Sequence, residues 1–97
     1  MATKWPDKDP DAIKDYSVDW SAMLAESETI TDSSWAPSDP ALIVESASPH
    51  APSILGGVCS CWLSGGVAGT TYTVTNRITT SRGMVDDRTV TIKVKEL

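Results

Sequence analysis

Between Thr71 and Thr80 the chain alternates: Tyr72, Val74 and Ile78 fall on one face and Thr73, Thr75, Arg77 and Thr79 on the other. That period of two marks a strand half buried against a core. The same alternation groups Tyr16, Val18 and Trp20, then Leu42 and Val44, then Cys59, Cys61 and Leu63, then Val90, Ile92 and Val94. It predicts strands over Asp15–Trp20, Glu28–Ala36, Ala41–Ser46, Val58–Leu63, Tyr72–Thr80 and Arg88–Lys95, with a short one near Ile54 and Leu55. Breakers separate them: Pro37-Ser38-Asp39-Pro40, Ser48-Pro49-His50-Ala51-Pro52, Gly65-Gly66, Ser81-Arg82-Gly83 and Asp86-Asp87. Ser21 to Leu24 is long enough for one helical turn. The expectation is an all-β sandwich of about seven antiparallel strands.

The inward faces, with Ile30 and Trp35, give the expected core, in which Trp20, Trp35 and Tyr72 are structural. Tyr72 follows Gly69-Thr70-Thr71 at a strand start. This is the placement of a tyrosine corner, whose hydroxyl bonds back to nearby backbone in immunoglobulin-like folds. Residues 1–14 lie outside the pattern. There Pro6 and Pro10 each fix φ and push the preceding residue towards extended geometry, so an extended N-terminal arm is expected to precede a sandwich over residues 15–97. Trp5 in that arm either folds back onto its own sandwich or anchors a neighbouring subunit, as buried aromatic residues often do. Trp62, pointing outward if Cys61 and Leu63 point in, raises the same question for the sheet surface.

With 97 residues the chain is one domain and buries enough surface to fold without metal or disulfide staples. No window approaches the roughly 20 apolar residues of a membrane helix, and residues 1–12 lack the apolar run of a secretory signal, so a soluble product is expected. Charge is uneven: residues 1–48 carry ten acids against three bases, and residues 49–97 five bases against three acids. The net charge of −5 argues against nucleic acid as a partner, because phosphate binding needs clustered Lys and Arg.

Cys59 and Cys61 face the same side of one strand with Cα atoms about 6.5 Å apart, near the limit for a disulfide. Buried free thiols fit better, and a structural zinc site would find only His50 to join them. Asp7, Asp9 and Asp11 imitate the opening of a calcium loop. The imitation fails where Ala12 stands for the required Gly and Val18 for the bidentate Glu. No nucleophile elbow, P-loop or HExxH occurs in the sequence, so neither a catalytic site nor a cofactor or metal is expected.

Taken together, Trp5-Pro6-Asp7-Lys8-Asp9-Pro10, Asp15-Tyr16-Ser17-Val18-Asp19-Trp20, Trp62-Leu63-Ser64-Gly65-Gly66 and Gly69-Thr70-Thr71-Tyr72-Thr73-Val74-Thr75-Asn76-Arg77 resemble the phage fiber-tail adaptor group. These are short proteins encoded among the morphogenesis genes of tailed phages and prophages. The resemblance spans nearly the whole chain in the right order; Pro49 to Pro52 and Leu55-Gly56-Gly57 lie outside it and read as a variable loop. It implies an immunoglobulin-like sandwich and a noncatalytic virion component, made in the host bacterial cytoplasm. It further implies docking on tail, neck or fiber proteins, in several copies that could close a ring, with neither nucleic acid nor membrane as partner. Two other classes compete. Outward Trp62 and the Pro-rich and Gly-rich loops could serve a carbohydrate- or receptor-binding adhesion module, and carboxylates or His50 could serve a small enzyme if they converged in a deep cleft.

Overall fold

Two facing sheets enclose the core in the computed structural model, which describes residues 3–97. The strands are β1 (Thr3–Lys4), β2 (Lys14–Asp19), β3 (Ile30–Pro37), β4 (Leu42–Val44), β5 (Ser53–Leu55), β6 (Val58–Gly65), β7 (Thr71–Thr80) and β8 (Val85–Lys93). Ser21–Met23 forms a single 3-10 turn between β2 and β3. One sheet has the order β1-β8-β7-β3; in the other, β6 is flanked by β2 on one edge and by β4 and β5 in succession on the other. All pairings are antiparallel except β1 with β8.

The all-β expectation holds, with differences that have physical causes. Among the described residues there are eight strands, because residues 3–4 add to the edge of β8 in parallel. Asp86-Asp87, expected to turn, lies inside β8 opposite Ile78 and Arg77. Two adjacent acids disfavour a strand, but the bidentate ion pair of Arg77 with Asp87, at 2.6 and 3.0 Å, holds Asp87 on the exposed face of the sheet. The link between β7 and β8 turns where Ser81-Arg82-Gly83 is expected to break the strands, at residues 81–84, closed by the Thr80 amide donating to the Met84 carbonyl.

β6 is central in one sheet and β7 and β8 in the other, and their inward residues are fully buried: Cys59, Cys61 and Leu63 on β6, Val74, Asn76 and Ile78 on β7. Val90, Ile92 and Val94 complete the layer. Trp35 and Val44, placed in the core by their phase, are only half-buried and pack against its margin. Two turns depend on glycine. Gly56 and Gly57, with φ of +57° and +86°, make the two-residue β5–β6 hairpin, whose central residues both need positive φ. At Gly66 a Cβ would come within 2.7 Å of Val94 Cγ2.

Candidate interaction surface

The N-terminal stretch is fastened to the sandwich. The Trp5 amide donates to the Thr91 carbonyl, the Lys8 amide to the Lys93 carbonyl, and the Lys95 amide returns to the Lys8 carbonyl, each at 2.9 Å. Trp5 is 7% exposed; its ring stacks on Tyr16 at 4.8 Å, tilts against Trp35 at 6.1 Å, and its Nε1 donates to the Ser17 carbonyl. Of its two sequence readings, the indole takes the one that covers its own fold. The large apolar ring is thereby desolvated within the chain.

Lys8 went unnoticed in the sequence. It is fully buried, and Nζ donates to the carbonyls of Asp9 and Gly65 at 2.9 Å each, joining the N-terminal segment to the end of β6. Burial lowers the pKa of its ammonium, against the opposing charges of Asp9 and Asp11. Asp9 gives one carboxylate oxygen to the Asp11 amide and the other to the Leu97 amide. These backbone bonds hold its carboxyl below the usual range, the Leu97 bond most strongly. Asp7 lies 4.0 Å from Lys95. Asp7 and Asp9 therefore tie the N-terminal segment to the residues that follow β8.

Trp20 is buried; its Nε1 donates to Asn76 Oδ1 at 2.8 Å, and Asn76 Nδ2 donates to Ser33 Oγ and the Ser34 carbonyl. Asn76 shares the inward phase of Val74 and Ile78, and that phase is the signal that could have placed it in the core. The Tyr72 hydroxyl accepts the Val67 amide hydrogen at 2.8 Å. Trp35 Nε1 and the Tyr16 hydroxyl are buried with no partner among the described residues. Trp62, on the outer face of β6, is half-buried with the His50 ring tilted against it at 4.5 Å. Cys59 and Cys61 are free, buried thiols; burial raises both pKa values, that of Cys61 to about 12, which keeps them protonated and unreactive.

Uncovered apolar surface gathers at the pole where the β2–β3 link, the β5–β6 hairpin and the β7–β8 turn meet. A cavity of about 490 Å³ lies among Met23, Leu24, Glu28, Arg82 and Met84. A second, of about 450 Å³, shares Leu24 and Glu28 and continues to Ile30, Ile54 and Gly57. Met23 (45% exposed), Ile54 (41%) and Leu55 (80%) stand around this groove. Sequence reasoning passed over it because its residues come from three separate links, each too short to show a period.

A family described as podophage GP4 fiber-tail adaptor protein gp77 matches residues 8–93. The chain belongs to this family. The fiber-tail adaptor match begins at the buried Lys8 and ends at the last residue of β8, so it takes in both sheets and the grooved pole. Trp5 lies just outside it. No curated protein matches the chain.

Proposed function

We propose that this chain is a noncatalytic structural component of a tailed-phage virion, connecting the tail or neck to fiber proteins through protein–protein contacts. The observation that carries the reading is membership of the fiber-tail adaptor family across residues 8–93. The architecture supports it: two sheets locked by Lys8 at one pole make a stiff spacer whose loops and edges are free to dock. An immunoglobulin-like arrangement is supported by the facing antiparallel sheets and by the Tyr72 hydroxyl bonded to backbone five residues upstream. Several copies would surround the tail in a ring, made in the host bacterial cytoplasm and carried in the virion.

Cryo-electron microscopy of particles from the source phage tests this. Ordered density that the sequence fits, in contact with both tail and fiber proteins, is the expected result; absence of the chain from mature particles overturns it.

A further inference from the structure

The two flanks of the sandwich are finished differently. On the β2–β8 flank most outward backbone groups have partners. The carbonyls of Ser17 and Asp19 accept from Trp5 Nε1 and the Arg88 guanidinium, those of Thr91 and Lys93 accept the Trp5 and Lys8 amides, and the Asp87 amide turns to the Asp86 carboxylate. Sheets close their edges in this way against stray pairing.

The opposite flank is bordered by β3, and there the edge is open. Ser38 faces β7, its amide donating to the Thr73 carbonyl at 2.8 Å. Antiparallel alternation then turns Ala36, Ser34 and Asp32 to β7 and the backbone amides and carbonyls of Ser33 and Trp35 away from it. Pro37 shares the outward phase, where its missing amide hydrogen breaks no ladder bond. Among the described residues the outward backbone groups of Ser33 and Trp35 have no hydrogen-bond partner, and no residue of β3 after Ile30 is buried.

The charge of this flank has one sign. No lysine or arginine occurs between Lys14 and Arg77, so β3, β4, β5 and their links carry acids alone. Glu28, Asp39 and Glu45 are tied to the Thr80 hydroxyl, the Ala41 amide and the Ser64 hydroxyl. Arg77, opposite Ser34, is paired with Asp87, and the charge of Arg82 already acts on Glu28. Asp32, exposed on β3 itself, has neither a hydrogen bond nor an ion pair among the described residues.

We propose that β3 receives an extended segment of a neighbouring tail or fiber protein as an added strand, with a lysine or arginine of that segment paired to Asp32. The proposal rests on the adaptor reading above and names the edge that carries it out. Backbone chemistry selects the occupant's shape, since an extended chain is what satisfies a row of outward amides and carbonyls along a strand. Charge selects its sign and disfavours a second copy, whose β3 flank would bring acid to acid. The register shift between Ile30 and Asp32 and the proline at position 37 bound the open stretch, so pairing is confined to the residues between them.

The test places p-benzoylphenylalanine at Ser34 or Ala36, both exposed on β3, in the chain carried by intact phage particles. Irradiation should join both positions to one segment of a tail or fiber protein that contains lysine or arginine. Purified chain is also added to particles assembled without it. Hydrogen exchange resolved by residue should show the Ser33 and Trp35 amides fast in the free chain and slowed about tenfold or more on the particle. Asp32→Lys, on an exposed side chain, should keep the wild-type melting temperature and weaken binding several-fold, the deficit shrinking as salt is raised.

Cross-linking to a second copy overturns the proposal. So does a cross-link to a tail or fiber protein while the Ser33 and Trp35 amides stay fast, because strand addition must protect them. Asp32→Lys binding as wild type overturns the cationic partner. A chain present in the particle that gives neither cross-link nor protection overturns the open edge and leaves the adaptor reading standing. Absence of the chain from mature particles overturns both.

Discussion

Replacing Trp5 with alanine distinguishes a structural indole from one held ready for a neighbour. In the structure the ring is 7% exposed, stacked on Tyr16 and bonded through Nε1 to the Ser17 carbonyl. Truncating a buried tryptophan costs about 3–5 kcal/mol. The lower end applies here, because Trp5 sits beside edge strand β1, where the chain can settle into the space. About 3 kcal/mol is a large part of the 5–15 kcal/mol that holds a domain of this kind together. At roughly 4–8 °C per kcal/mol it lowers the melting temperature by about 12–24 °C. Trp5→Phe keeps a smaller stacked ring and loses the donor with part of the packing, so an intermediate cost of about 1–2 kcal/mol is expected. Urea unfolding followed by far-ultraviolet circular dichroism reads both, and an unchanged slope shows that the same surface is exposed on unfolding. A loss below about 1 kcal/mol for Trp5→Ala with that slope unchanged refutes the reasoning and returns Trp5 to the role of an external anchor.

Asn76→Ala strands the Trp20 indole donor and the Ser34 carbonyl inside the core, and should cost about 2–4 kcal/mol in the same assay; less than 1 kcal/mol would mean that the bonds are not needed. Asn76→Asp should be worse at neutral pH and recover as the pH falls, because a carboxyl buried there has its pKa raised and is accommodated only when protonated. Cys59 and Cys61 should resist iodoacetamide at pH 8 in the folded protein and react on addition of urea; rapid labelling without denaturant would contradict their burial. Asp9 and Glu28 are both held below their ordinary values of 3.8 and 4.5, Asp9 chiefly by the Leu97 amide and Glu28 chiefly by the Thr80 hydroxyl. Their contribution is therefore complete above those values and is lost as pH falls through the lower folded ones. The melting temperature should hold near neutrality and drop below about pH 4, and Asp9→Asn with Glu28→Gln should flatten that drop; an unaltered acid limb would show that neither group is responsible. Asp19 and Asp87, also held low, supply the remaining slope.

The core strands were legible because burial on one face forces a period of two, as in Val90, Ile92 and Val94. Positions where that rule competes with another were harder to read. Asn76 has the right phase but the wrong polarity, and only three hydrogen bonds make its burial tolerable. Asp86-Asp87 has turn chemistry, yet a cross-strand arginine holds it in a strand. Lys8 is the hardest case, since nothing local announces that its ammonium will be buried against the carbonyl of its neighbour Asp9 and that of distant Gly65. The groove is illegible for a related reason: Met23, Ile54 and Met84 meet only through the topology.

The fastening of the N-terminal segment has a mechanical consequence. Thr3 begins alongside Val90, whereas Leu97 ends at the Asp9 pole, and the strands between them run parallel. A pull on the two ends along the strand direction acts in shear. The backbone bonds of Trp5 and Lys8 and the ammonium bridge to Gly65 would all have to stretch together before any one gave way. A chain loaded in this way resists tension far better than one whose edge strand can be peeled off bond by bond.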